Sequence, residues 1–156
     1  MIEDKIQTTV EAHEAQAIPC ARVVHADPDT PETAEQKPLP DSVANKPVEQ
    51  KSPAEWAYER LILYIQNFEE QLDNEHEIAV GFAGGDAGVL RIEGIGFFDP
   101  DIVTFYGTDE FGAKTQLIQH VTQLGVTLRA LPKSLPEKAA KRIGFRLAAD
   151  LENKKL

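Results

Sequence analysis

Cysteine occurs once in these 156 residues, at Cys20. A single thiol excludes an internal disulfide framework and a cysteine-built zinc cluster, and it suits a reducing compartment. Long apolar runs are missing as well. None approaches the ~18 residues of a membrane span, and residues 1–10 lack the basic-then-apolar order of a secretion signal. A soluble cytoplasmic protein without membrane contact is the expectation. Phe, Tyr and Trp are absent from residues 1–51, which hold six of the ten prolines. Such a stretch cannot bury enough apolar surface to offset its ordering entropy. It reads as a disordered Pro/Glu-rich tail, with brief helix or strand character around 18–24, and a docking peptide is its functional alternative. Signatures of catalysis are missing too: no metal-binding His pair, no nucleophile elbow, and Cys20 in the tail. The chain is therefore expected to be no enzyme and to carry no cofactor and no metal.

Charge is unevenly spread along a chain of net charge −10. Residues 1–51 carry ten acids against five bases. Residues 52–110 carry thirteen acids against Arg60 and Arg91, and residues 111–156 three acids against nine bases. An acidic middle thus meets a basic end. At physiological salt such fields fade over about 8 Å, so local patches matter more than the total.

What is present begins at Ser52. Ser52-Pro53-Ala54-Glu55 is a capping box with proline at the first helical position, and losing it should cost about 1 kcal/mol. Tyr58, Leu61, Ile65, Phe68 and Leu72 follow at steps of three and four, with Trp56 extending the apolar side. Glu59, Gln66, Glu69, Glu70 and Asp73 lie mostly away from that stripe, and the helix ends near Asn74.

From His76 the period shortens. Ile78, Val80 and Phe82 alternate with smaller residues, and the glycine-rich 84–88 makes a turn. Residues 89–98 form a second strand, where Gly94 and Gly96 suggest a bend or bulge. Turns at 99–101 and 108–113 and a break at 122–125 separate strands at 102–106, 115–120 and 126–131. Five short strands at this spacing predict a small antiparallel barrel or strongly bent sheet. Pro132 ends the series. Ser134-Leu135-Pro136-Glu137 repeats the capping pattern and predicts a C-terminal helix. Ala140, Ile143, Leu147 and Leu151 face inward on it, and Gly144 weakens it by about 1 kcal/mol relative to alanine. Residues 153–156 should fray. The fold expected is α+β, one domain over 52–152.

A helix followed by five strands resembles the Sm-like fold, which includes the bacterial RNA chaperone Hfq. Gly94-Ile95-Gly96-Phe97-Phe98-Asp99 looks like the end of the second Sm strand. Leu117-Ile118-Gln119-His120-Val121 looks like the Hfq segment whose lysine–histidine pair helps bind uridine, with Gln119 in place of the lysine. The resemblance implies ring-forming subunits and an RNA-binding surface. Ser52-Pro53-Ala54-Glu55-Trp56-Ala57-Tyr58-Glu59-Arg60-Leu61, Gln116-Leu117-Ile118-Gln119-His120-Val121 and Arg142-Ile143-Gly144-Phe145-Arg146-Leu147 are similar to a family of short bacterial proteins of unknown function.

Candidate chemistry is sparse. Lys138, Arg142 and Arg146 fall at i, i+4, i+8 of the expected last helix. With Lys133 they could meet phosphates or an acidic protein, or form a solvated face that pairs with the first helix. Gln119 and His120 near a strand end could meet a base or nucleotide. Phe97, Phe98, Phe105 and Tyr106 offer either a stacking platform or core. Asp99, Asp101, Asp109 and Glu110 lack the spacing of a calcium loop, and His76 between Glu75 and Glu77 reads as a flanked surface histidine. The function expected is a non-catalytic, homo-oligomeric interaction module, because open strands leave backbone groups that subunit pairing can satisfy. RNA or nucleotide binding through Gln119, His120, Lys138, Arg142 and Arg146 is the alternative, a protein partner is a further possibility, and a small hydrolase or transferase comes last.

Overall fold

The computed structural model describes residues 21–44, 50–83 and 88–153. Cys20, the expected turn at Gly84-Gly85-Asp86-Ala87 and the expected frayed residues 154–156 lie outside them. The long helix, α1, spans Pro53–Glu70, and the strands are β1 (His76–Phe82), β2 (Val89–Phe98), β3 (Ile102–Thr108), β4 (Lys114–His120) and β5 (Val126–Pro132). The last helix, α2, spans Gly144–Asn153. The α+β class and the five strands stand as the periodicity predicts.

All strand pairs are antiparallel, in the order β4-β3-β2-β1-β5. The sheet is open, so the closed barrel is corrected: β4 and β5 lie at opposite edges and do not meet. β2 serves both halves. Its first residues pair with β1, at Val80↔Leu90 and Gly81↔Val89, and the rest pairs with β3 after a register shift between Ile92 and Gly94. That irregularity falls where the glycines suggest it, since a bulge bends a strand and raises its local twist.

α1 begins as its cap dictates. The Glu55 N–H donates to Ser52 Oγ at 3.0 Å, and the Ser52 hydroxyl donates to Asp99. Ala54 N–H donates to Pro100 C=O at 3.0 Å, which pins the helix start to the β2–β3 turn. Below it, Ile62, Ile65, Val80, Leu90, Val103 and Phe105 are almost wholly buried. The Tyr58 and Phe97 rings lie 4.9 Å apart, and Phe82 meets Phe105 edge-on at 4.8 Å.

The stripe predicted for α1 is narrower than the face it buries. Ile62, Glu59, Asn67 and Glu69 are all buried, whereas Leu61, Phe68 and Leu72 are half-buried. The helix is covered on several sides, and Glu59 and Glu69 find partners among its other neighbours. Residues 21–44, inside the stretch whose composition predicts disorder, lie along α1. Val43 is fully buried, Leu39 packs on the core, Tyr64 donates to Glu35, and Lys37 pairs with Glu70.

Lys51 joins this segment to the helix. Its ammonium is 3.1 Å from the Glu59 carboxylate, donates to Val43 C=O and sits 4.1 Å over the Trp56 ring. Both charged side chains are 1% exposed. Removing one member of a pair this deep leaves an uncompensated charge, at a cost of about 3–5 kcal/mol. Glu59→Ala is therefore expected to lower the unfolding free energy, read by urea titration, by that amount. The double variant Lys51→Met/Glu59→Leu is expected to recover most of it, and equal losses in both variants would show that the charges are not coupled.

Candidate functional site: a cleft built around Glu77

The largest described cleft, about 520 Å³, lies where β1 and β2 meet the segment leading into α2. Glu77, Arg91, Glu93, Asp109, Glu110 and Arg146 are among its lining residues. Glu77 projects from β1 and is 5% exposed. One of its oxygens accepts from Arg91 Nη1 at 3.0 Å and from Ser134 N–H at 3.2 Å. The other accepts from Lys141 N–H at 2.6 Å. Burial pushes the Glu77 carboxyl up, but the N–H donors of Lys141 and Ser134 and the Arg91 charge outweigh it. The group is held below its ordinary value of 4.5.

A second carboxylate grips the same segment one turn further on. Glu69 of α1 accepts from Ile143 N–H at 3.1 Å and from Gly144 N–H at 2.6 Å, capping the start of α2. Here burial wins over those donors and over the neighbouring Arg142, and the carboxyl is raised. Arg142 completes the fastening, donating to His76 C=O and to Asp73 C=O, each at 2.8 Å.

The helix expected from Ser134 therefore starts ten residues later, at Gly144. Ser134 gives its N–H to Glu77, with its Oγ 3.4 Å from the same carboxylate, and so does not act as a helix cap. Lys138 and Arg142 precede the helix, so the i, i+4, i+8 stripe does not exist. Lys138 and Arg146 are exposed, Arg146 lying 5.7 Å from the Phe145 ring, and Arg142 is half-buried in its clamp.

Gln119 and His120 stand elsewhere. His120 pairs with Ile102 at one end of β3, while Thr108, at the other end, lines the cleft. Six strand steps, about 20 Å, separate the two ends. Gln119 is 9% exposed and points inward beside Val103. In His120, Nδ1 accepts from Thr122 N–H at 3.2 Å, which assigns the proton to Nε2, donating to Asp101 at 2.9 Å. Both ring nitrogens are engaged, Nδ1 in capping the short turn Val121–Gln123 and Nε2 on Asp101. The five residues expected to bind a nucleotide are thus not gathered into one site. Nor do the aromatics form one platform: Phe105 is fully buried and Phe97 lies against Tyr58, while Phe98 and Tyr106 face outward. Among the described residues no three His, Cys, Asp or Glu are grouped to hold a metal ion. No described helix is long and apolar enough to cross a membrane.

What sequence reasoning missed is the pair of buried carboxylates. Their partners are backbone N–H groups, which leave no residue-type signature; the one available clue was Glu77 in a run otherwise apolar. The chemistry this arrangement performs is mechanical: it fastens the chain's basic end to its acidic middle.

Two outcomes test that reading. A carboxyl held low contributes stability that is complete above its unfolded value and is lost as pH falls through its folded one. Glu77→Gln is expected to cost about 1–3 kcal/mol at pH 7, and the gap to the native chain should narrow as pH falls below 4.5 and through the lower folded value. A gap that stays constant with pH removes the electrostatic account. At Gly144 a Cβ would stand 2.7 Å from Glu69 Oε1 and 2.9 Å from the backbone Cα of Gln66. Gly144→Ala is expected to destabilise by about 1–3 kcal/mol, opposite in sign to the gain of about 1 kcal/mol that an exposed helical glycine gives. Urea titration reads the sign.

Comparison with known proteins adds a family and no activity. No curated protein and no solved structure matches the chain. The family model that describes a family of unknown function, DUF6173, matches residues 47–146, which include α1, all five strands and the Glu77 cleft, so the chain belongs to that family.

Proposed function

We propose that this chain is a non-catalytic interaction module that assembles with copies of itself through the edges of its sheet. The observation that carries the reading is the open strand order. β4 and β5, each seven residues long, have a partner on one side only among the described strands. Alternate residues of such strands direct N–H and C=O groups outward, and pairing with another chain satisfies them.

Exposed apolar side chains stand beside the β4 edge. Phe98, Tyr106 and Ile118 are 75%, 44% and 61% exposed. The strand registers set Phe98 beside Ile102, Tyr106 beside Gly94 and Thr104 beside Ile118, which puts all three on one outward face. Apolar groups at a polar-rimmed surface mark contact sites more often than chance. The Sm-like reading joins this proposal with the same support: a leading helix, five antiparallel strands, and a β2 that bends between two halves of the sheet.

The cleft favours no catalytic reading, since Glu77, Arg91 and Arg142 are occupied in holding the fold. Light scattering of the native chain is expected to give a mass above that of the monomer, rising with concentration. Ile118→Lys, at an exposed position where stability changes by about 0.5 kcal/mol or less, is expected to shift that mass toward the monomer. A native chain that remains monomeric at every concentration ends the proposal.

A further inference from the structure

The β5 edge differs from the β4 edge in having a groove beside it. Leu61 and Tyr64 of α1, together with Leu124, Val126 and Leu128, line an apolar depression of about 310 Å³. Tyr64 also borders a second depression, whose walls include Leu39, Trp56, Leu63 and Ala21. Ala21, the first described residue, thus stands one side chain from the β5 groove.

Residues 6–10 of the stretch before Ala21 are Ile6, Gln7, Thr8, Thr9 and Val10. Four of the five are β-branched, the residue class that fits a pleated, half-buried surface. Ile6, Thr8 and Val10 share one face at strand spacing. Ten residues lie between Val10 and Ala21, and an extended chain of those eleven Cα steps reaches up to about 36 Å, ample for an edge that begins beside Tyr64. Charge agrees. β5 carries Arg129 and no acid, whereas Glu3, Asp4, Glu11 and Glu14 flank residues 6–10 against Lys5.

We propose that residues 6–10 of this chain dock on the free edge of its own β5 as an added strand. Ile6 and Val10 enter the groove, and the segment competes with a second copy for that edge. The competition rests on the assembly reading given above; the docking does not. Backbone pairing supplies most of the affinity in such an addition, and pockets for alternate side chains supply its register.

The test uses the full chain and the variant Thr8→Pro, which removes a ladder donor and fixes the backbone where a strand must pair. Amide hydrogen exchange across β5 is measured at several protein concentrations, with Trp56 fluorescence confirming that the fold is intact. Docking requires β5 amides that exchange at least roughly tenfold faster in Thr8→Pro than in the native chain at concentrations where both are monomeric. Leu128→Asp, in the groove, is expected to release the same amides. Competition further requires that Thr8→Pro assemble at lower concentration than the native chain. Exchange rates indifferent to Thr8→Pro overturn the docking. Protection that rises with concentration and ignores Thr8→Pro assigns the edge to a second copy, which overturns this proposal and supports assembly. A tenfold release in a chain that stays monomeric keeps the docking and removes the assembly reading.

Discussion

Two buried carboxylates hold one stretch of backbone, and most of this architecture depends on that grip. The residues between β5 and α2 form no regular element that could bury its own polar groups. A segment of that kind needs partners for its N–H donors before it can lie against a core. Glu77 supplies them for Ser134 and Lys141, and Glu69 for Ile143 and Gly144. Arg142 reciprocates, sending its donors to the carbonyls of Asp73, in the α1–β1 connection, and His76, at the start of β1. The fastening is therefore two-way: acids of the middle hold backbone of the end, and a base of the end holds backbone of the middle.

The two carboxylates answer burial differently, and the difference follows from their donors. Glu77 has a guanidinium within 3.0 Å as well as backbone N–H groups, and the sum outweighs desolvation. Glu69 has backbone donors and only a more distant arginine, and desolvation wins. Glu69 is thus the strained member, tolerated because the start of α2 would otherwise bury unpaired N–H groups against α1. Gly144 is what lets the helix start come that close. The Tyr58 hydroxyl adds a third tie by donating to Asp150, and burial together with that acid pushes the phenol well above its usual range.

How legible was this in the sequence? Elements whose evidence is periodic were readable. Ser52 caps α1, the strands fall where alternation and glycine turns place them, and the bulge in β2 sits beside Gly94. Elements whose evidence depends on competition for the same groups were not. Ser134-Leu135-Pro136-Glu137 matches a helix start, yet its serine bonds a carboxylate from another strand, so no local pattern could tell the two outcomes apart. Glu59 and Glu69 look like a solvated face because a single helix has two sides, whereas α1 is covered by the sheet, by residues 21–44 and by α2. The buried Lys51–Glu59 pair also joins groups eight positions apart across a turn, beyond any helical spacing rule. The candidate site failed for a related reason: His120 and Arg142 carry the right chemistry for a nucleotide, and both are already bonded to their own chain.

The division of charge along the sequence bears on partners in the same way. A basic end following an acidic middle invites the idea of a polyanion-binding arm. In the fold, Lys133 pairs with Glu75 at 3.6 Å, and Arg142 bonds the carbonyls of Asp73 and His76. Lys114, Arg129, Lys138, Lys141 and Arg146 stay exposed, and because Lys138 and Arg142 precede α2 they do not line up with Arg146 as a helical stripe. Attraction that falls off within about 8 Å needs such a stripe to track a phosphate backbone. Among the described strands, β4 and β5 each have a neighbour on one side only. A sheet with two open edges either protects them or uses them. Lys114 and Arg129 are the only formal charges on β4 and β5, too few to repel another strand along seven residues.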